Sequence, residues 1–357
     1  MRRIDYERWT QIALSSENFP RENALTILNN SKIDILRLAA AAGDVRMATF
    51  GKKVKIHQLN SIQNGLCPED CGYCGQSKIS KASIKKYPMK SEDAIVQEAL
   101  EAKASGVYRY CMAASGRGPT EKQVGQLARL IKRISDEVGI KTCLSVGIVD
   151  LEDAKILKEA GLDRLNHNLN TSEKHTSKIV STHTYQDRVN TINAAEEAGL
   201  DICSGMIVGM GESDEDILEV AYTLRRIKVS SIPINFLVPI KGNPIYDFNQ
   251  LTPERCLRIL CMFRFVNPIA EIRIAGGSEG HLRGLRSLAL YPANSLFVDG
   301  YLVSRGDKKN KVYQMIEDAG FELEGDCGEE PELSSAERFA LDDNPNIMNP
   351  KTAFVET

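Results

Sequence analysis

The chain has 357 residues, 42% of them hydrophobic and 26% charged, with 45 lysines and arginines against 48 acidic residues and a net charge of −3. Such a balance reads as a soluble globular protein and excludes the basic excess that nucleic acid or an anionic membrane would attract. The start Met1-Arg2-Arg3-Ile4-Asp5-Tyr6 lacks the apolar core of a secretory signal and no run of 18 apolar residues occurs, so the nine cysteines are expected to be reduced thiols in a cytoplasmic setting.

Residues 1 to 50 read as a helical cap. Pro20 suits a first helical turn and opens a helix to Asn30. A firmer helix from Ile33 to Ala42 is expected to stop at Gly43, where a left-handed cap fits best. From 51 to 320, apolar strand-like runs alternate with amphipathic helical stretches. Strands are expected at 54–60, 107–112, 141–146, 164–169, 200–208, 232–238, 270–275 and 294–298. Helices are expected near 91–105, 121–137, 151–160, 185–198, 214–227, 253–265, 280–288 and 309–319, with Gly106, Gly139, Gly161 and Gly199 at helix-to-strand passages. Eight strand–helix units in series predict an α/β fold, a closed (β/α)8 barrel of the TIM type; an open doubly wound sheet is the alternative. Residues 321–357 read as a C-terminal tail. After Gly325 it turns acidic, with Glu329, Glu330, Glu332, Asp342, Asp343 and three prolines, and is expected to be poorly ordered.

The loop after the first strand, Asn64-Gly65-Leu66-Cys67-Pro68-Glu69-Asp70-Cys71-Gly72-Tyr73-Cys74, sets three cysteines at C-x3-C-x2-C spacing. Three thiolates can hold a cube of four irons and four sulfides while one iron keeps an open position. A zinc site asks for four ligands, commonly in two separated pairs, and a disulfide would strand one cysteine and suits secreted chains. The loop belongs at the C-terminal rim, where barrel active sites are built.

Cys111, Cys143 and Cys203 fall on three different strands, whose inward side chains can meet inside a barrel. Three thiols with no obvious base suggest a second metal centre, although each singly also fits a core cysteine. Arg273, among mostly apolar neighbours on the seventh strand, strengthens that reading. An interior guanidinium is costly without an anion, and a thiolate-bound cluster would supply one. The alternative is an outward arginine paired with a surface carboxylate.

These segments, with Tyr110-Cys111-Met112-Ala113-Ala114, Thr142-Cys143-Leu144, Asn166-His167-Asn168-Leu169-Asn170-Thr171, Thr184-Tyr185-Gln186-Asp187-Arg188, Cys203-Ser204-Gly205 and Pro233-Ile234-Asn235, resemble the biotin synthase family of the radical S-adenosylmethionine (SAM) superfamily, in order from about residue 50 to 305. The cysteine loop alone would mark only the superfamily; the strand cysteines with Arg273 are more specific.

The resemblance implies two clusters. A 4Fe–4S cluster on Cys67, Cys71 and Cys74, with Tyr73 beside it, would cleave SAM to methionine and a 5′-deoxyadenosyl radical. An auxiliary cluster on Cys111, Cys143, Cys203 and Arg273, expected as 2Fe–2S, would donate the sulfur that turns dethiobiotin into biotin. Asn168 and Asn170 would hold the SAM ribose, and Arg188 its carboxylate through a charge-assisted pair. Asn166, Asn168 and Asn235 would bind the ureido ring, a neutral group that needs donors and acceptors together. Cys203, Arg273 and Asn168 would thus stand closest to the chemistry. An electron donor such as flavodoxin or ferredoxin, and a homodimer, are also implied.

Asn170 departs from relatives that carry aspartate there, and the acidic tail has no counterpart. Cys256 and Cys261 read as core, and Cys327 as an unpaired thiol. Gly209-Met210-Gly211-Glu212 lacks the third glycine of a dinucleotide fingerprint and reads as a loop near SAM. His167 reads as structural, and the other four histidines carry no signal. Competing functions are a cluster-assembly maturase, a methylornithine-forming mutase, or a non-enzymatic zinc or iron–sulfur protein.

Overall fold

The computed structural model describes residues 4–15, 17–246, 251–301 and 306–325; Cys327 and the acidic segment after Gly325 lie outside them. Its strands are β1 (Lys53–Gln63), β2 (Arg109–Ala114), β3 (Lys141–Ser145), β4 (Arg164–Asn166), β5 (Asp201–Cys203), β6 (Met206–Val208), β7 (Ser231–Phe236), β8 (Glu271–Ile274), β9 (Ser295–Val298) and β10 (Glu322–Glu324). All pair in parallel, and β1 pairs with both β2 and β9, which closes the sheet. Since β5 and β6 both lie against β7, they share one stave, and the barrel has the eight staves expected. β10 pairs with the leading end of β1, Lys53 facing Glu322, so the sheet extends past the boundary expected at residue 320.

The helices are α1 (Tyr6–Leu14), α2 (Arg21–Asn29), α3 (Ile35–Phe50), α4 (Glu92–Ala104), α5 (Glu121–Arg133), α6 (Leu151–Glu159), α7 (Glu173–Ile179), α8 (Tyr185–Glu197), α9 (Asp214–Arg226), α10 (Pro253–Val266), α11 (Ser278–Leu282) and α12 (Lys309–Asp318). Side-chain caps start many of them. Thr120, Thr184 and Ser213 each form a reciprocal capping box, satisfying first-turn N–H groups that would otherwise lack partners.

Four local expectations need correction. α3 does not stop at Gly43 but runs on to Phe50, and Gly51, at φ 58°, ends it. Gly43 serves close packing instead: a Cβ there would lie 2.8 Å from the Tyr291 ring. The strand expected at 200–208 is broken at Ser204-Gly205, because Gly205 passes so near Pro233 O that a Cβ would sit 1.9 Å from it. α7, capped by Ser172, lies in a stretch for which no element was expected. The helix expected at 280–288 is the short α11 followed by two 3-10 turns.

Strand alternation divides the residues into two sets. Val54, Ile56, Tyr110, Met112, Leu144, Leu165, Ile232, Ile272 and Leu296 join the helices in one apolar core. The intervening positions point into the barrel, and there the interior is polar: His57, Arg109, Arg164, Ser231, Glu271, Arg273 and Ser295 are all buried. Barrel interiors are ordinarily filled by branched aliphatic residues. This one is wired.

Candidate active site

A cavity of about 370 Å³ opens at the C-terminal ends of the strands, a size that suits a small-molecule site. Cys67, Cys71, Tyr73 and Cys74 form one wall. Asn166, Asn168, Asn170, Arg188 and Asn235 line it as well, as does His167. The cavity therefore gathers the loop cysteines and every expected SAM or substrate residue.

The cysteine loop is fastened from both sides. Asp70 accepts hydrogen bonds from Ser181 N (2.9 Å), Thr182 N (3.1 Å) and Thr182 Oγ1 (3.0 Å), with Ser181 Oγ also donating. Against the cost of burial, these bonds hold its carboxyl well below the usual range. Glu69 accepts from Thr182 Oγ1 at 2.6 Å and from His183 Nδ1, and Arg117 lies 3.3 Å away. His183 Nε2 in turn accepts from Arg188 Nη2 at 2.6 Å. These partners fix the tautomer: the proton sits on Nδ1, facing the carboxylate. Burial first and Arg188 second push the His183 pKa down, which keeps the ring neutral. A continuous chain Glu69–His183–Arg188 thus joins the cysteine loop to α8. His183 carried no signal in the sequence, because its role depends on Glu69, 114 positions away in the chain.

Arg188 also donates to Asn168 O at 2.9 Å, and among the described residues no carboxylate pairs with it. Asn168 Oδ1 accepts from Gly205 N at 3.0 Å and from Asn166 Nδ2 at 3.3 Å. Asn170, at φ 68°, donates to Tyr73 Oη at 2.5 Å. Asn235 Oδ1 accepts from Gly276 N at 3.0 Å, and its Nδ2 donates to Met206 O at 3.2 Å. Asn168 and Asn235 are thus pre-oriented by backbone contacts, and Asn170 by the Tyr73 hydroxyl. Glu212 accepts from Gly209 N and Met210 N, both at 2.7 Å, so that loop closes on its own carboxylate.

Below the cavity, Cys111, Cys143 and Cys203 pack together, with Leu59 and Phe297 against them. Cys111 and Cys143 are register partners on β2 and β3. Asn166 reaches down from the cavity, its Nδ2 3.2 Å from Cys203 Sγ. Arg273 is buried and faces inward, with Nη1 3.7 Å from Cys203 Sγ and its guanidinium over the Phe297 ring at 5.1 Å. A protein carboxylate also compensates it. It is Glu271, whose Oε1 pairs with Arg273 Nη2 and accepts from Ser231 Oγ (3.1 Å) and Ser295 Oγ (2.9 Å). Its Oε2 meets Arg164 Nη1 at 3.1 Å. One carboxylate between two guanidiniums leaves residual positive charge under the thiols. A buried imidazole stands beside them: His57 Nδ1 lies 3.9 Å from Cys111 Sγ and Nε2 lies 3.1 Å from Glu271 Oε1.

The donor sets fit iron–sulfur groups. All six thiols are free. Burial pushes the Cys71 thiol up to about 12, so a cationic group is what would hold it as thiolate. Cys111 is pulled down, first by its hydrogen bond with Cys143 and then by Arg273 and Arg109. Among the described residues, no three His, Cys, Asp or Glu side chains are placed to hold a single metal ion. Three thiols on one cavity wall form a donor set for a polynuclear group. Cys256 and Cys261 are buried in the apolar core of α10, away from both sets.

Comparison with known proteins agrees with this geometry. The radical SAM superfamily profile matches residues 62–224, and the biotin and thiamin synthesis associated domain matches 233–322. A biotin synthase of Acaryochloris marina is 66% identical, covering 96% of this chain and 99% of that protein. One from Leptospira interrogans is 50% identical over 91% of this chain and 92% of its own length, and one from Bacillus subtilis is 44% identical over 89% and 96%. Among solved structures, a methylornithine synthase superposes with TM-score 0.76 at 19% identity, covering 88% of this chain and 97% of its own. An FeFe-hydrogenase maturase from Carboxydothermus hydrogenoformans also gives 0.76, at 17% identity over 90% and 80%. At that identity the two share the fold alone, whereas the sequence relatives identify the family. With residues matched along nearly its whole length, the chain belongs to the biotin synthase family of radical SAM enzymes.

Proposed function

We propose that this biotin synthase brings SAM and dethiobiotin together in one cavity above its buried cysteine triad. The observation that carries this reading is continuity. The cavity has Cys67, Cys71 and Cys74 on one wall and is also lined by Leu59 and Phe297, which pack on Cys111, Cys143 and Cys203. Membership of the family brings a 4Fe–4S cluster and SAM. Together these supply, when bound, one-electron cleavage to methionine and a hydrogen-abstracting 5′-deoxyadenosyl radical.

The chain's own residues bind and orient. Cys67, Cys71 and Cys74 hold the first cluster with one position left for SAM, and Tyr73 and Asn170 brace that side. Arg188, already tied to Asn168 O and His183, offers its remaining N–H groups to the SAM carboxylate. Asn168 and Asn170 hold the ribose. Asn166, Asn168 and Asn235 bind the ureido ring; with one Asn235 N–H already on Met206 O, the other is free to donate to the urea oxygen. Cys111, Cys143, Cys203 and Arg273 hold the auxiliary cluster, read as 2Fe–2S and as the sulfur source. Conversion of dethiobiotin breaks two C–H bonds and forms two C–S bonds, so two SAM molecules are consumed for each ring closed.

Residues 1–50 then serve as a cap on the barrel domain, whose sheet reaches β10 at Glu322–Glu324. A flavodoxin or ferredoxin supplies electrons to a homodimer in the cytoplasm. The test is an anaerobic assay of the reconstituted protein with SAM, dithionite and dethiobiotin. Biotin should form with at least two 5′-deoxyadenosines per biotin, and iron and sulfide analysis should account for both clusters. Steady 5′-deoxyadenosine without biotin would overturn the substrate assignment.

A further inference from the structure

Beneath the thiol triad, buried polar side chains from several strands meet: His57 on β1, Arg164 on β4, Ser231 on β7, Glu271 and Arg273 on β8, and Ser295 on β9. Their focus is one carboxylate. Glu271 Oε1 accepts from Ser231 Oγ and Ser295 Oγ and lies 3.1 Å from His57 Nε2, while Oε2 accepts from Arg164 Nη1. Gripped from β1, β4, β7 and β9 and only 3% exposed, this carboxylate is fixed in place.

A guanidinium inside a barrel has a plane and a rotation within that plane to be set. The plane of Arg273 is set by Phe297, whose ring it covers at 5.1 Å. The rotation is set by Glu271. Arg273 Nη2 donates to Glu271 Oε1 and, at 2.9 Å, to Ser231 Oγ, which uses both of its hydrogens. Nη1 is left facing Cys203 Sγ at 3.7 Å, and Nε is buried with no acceptor among the described residues. The neighbouring guanidiniums are turned elsewhere, Arg109 Nη1 to Thr142 O and Arg164 Nη1 to Glu271. Arg273 is thus satisfied on its carboxylate side and open on its thiol side. Buried donors left open are costly unless an acceptor arrives, and a thiolate-bound cluster brings sulfur acceptors to that side.

We infer that Glu271 is the positioning residue of the auxiliary site: by holding Nη2 of Arg273, it turns Nη1 toward Cys203 and the group that the triad carries. The inference rests on reading Cys111, Cys143, Cys203 and Arg273 as holders of that group. Charge neutralisation alone does not require this arrangement. A carboxylate that only balanced Arg273 would make more hydrogen bonds by meeting Nη1 and Nη2 together, as arginine–carboxylate pairs frequently do. Here each oxygen serves a different arginine, Oε1 for Arg273 and Oε2 for Arg164, and Nη1 stays open.

The test is pulsed EPR on the reconstituted enzyme, reduced with dithionite and carrying arginine labelled with heavy nitrogen in its guanidinium. In the wild type the unpaired electron of the auxiliary cluster should couple to a labelled nitrogen. Arg273→Met should remove that coupling, which assigns it. Glu271→Gln, which keeps the volume, should lose most of the coupling, and Glu271→Asp should retain more of it. Ser231→Ala combined with Ser295→Ala loosens the carboxylate without removing its charge, and should weaken the coupling as well. A merely structural ion pair would lower the urea midpoint of Glu271→Gln and leave the coupling at its wild-type size; that result overturns the inference. Should Glu271→Gln not fold, a wild-type coupling in the two-serine variant overturns it instead. Wild-type enzyme with both clusters but no Arg273-dependent coupling also overturns it, whereas iron and sulfide for one cluster alone would overturn the auxiliary-site reading itself.

Discussion

Glu271 and Arg273, two residues apart on β8, point to the same side of the strand and pair inside the barrel directly beneath Cys203. The carboxylate also holds Arg164, so one acid neutralises part of two buried guanidiniums. Glu271→Gln keeps the volume but leaves both cations unpaired, and should destabilise the protein by about 3–5 kcal/mol. Adding Arg273→Met should recover part of that loss, because the pair is then removed together. Urea denaturation of the three variants checks this; equal midpoints for wild type and Glu271→Gln would show the pair to be dispensable.

Cys67→Ala, Cys71→Ala or Cys74→Ala should abolish reductive SAM cleavage, since two thiolates cannot hold a cube with one open iron. The measurement is 5′-deoxyadenosine after anaerobic reconstitution. Substantial product from any of the three sinks the assignment.

Cys143→Ala or Cys203→Ala should uncouple the reaction. The triad lies beneath the cavity and the loop cysteines line its wall, so SAM cleavage should persist at least in part while biotin formation stops. Arg273→Met should retain some biotin, because Arg164 still supplies positive charge close to the thiols. Both products are quantified in one assay, and full biotin yield from Cys203→Ala would refute the sulfur-donor role.

Arg188→Ala should weaken SAM binding by one to two decades, since a charge-assisted hydrogen bond contributes about 1.5–3 kcal/mol. His183→Ala should weaken it less, because Asn168 O still holds the guanidinium. Equilibrium titration of the reconstituted variants decides; equal affinities across all three proteins would remove Arg188 from the SAM site.

Acid should destabilise the iron-free protein before its carboxylates titrate. Burial, aided by Arg273 at His57 and Arg188 at His167, lowers both imidazoles to about 3, whereas in the unfolded chain they titrate near ~6.5. Below that pH the unfolded state takes up protons that the folded state refuses. Stability is therefore complete above roughly pH 7.5 and falls by about 1.4 kcal/mol per histidine by roughly pH 5.5. A urea midpoint that stays flat across this range, or one that His57→Gln and His167→Gln leave equally steep, contradicts the prediction.

The barrel and its cysteine loop were legible because both are local patterns. Alternating strand and helix periods, capping glycines and the C-x3-C-x2-C spacing each lie within a few neighbouring residues, and they set the element order, the positions of all eight staves and the three loop thiols. The strand cysteines were legible as candidates, and only closure of the sheet made them neighbours. What tertiary structure alone decided is the company each side chain keeps. Gly43 looked like a stop signal, and the ring of Tyr291, far along the chain, makes it a packing site. His57, Arg164 and Glu271 are unremarkable in sequence, and they form one network because β1, β4 and β8 direct alternate residues to the same axis. His183 acquires its role from Glu69, 114 positions away. Which polar residue compensates which depends on register across the closed barrel, and that is a long-range property which no short stretch of chain contains.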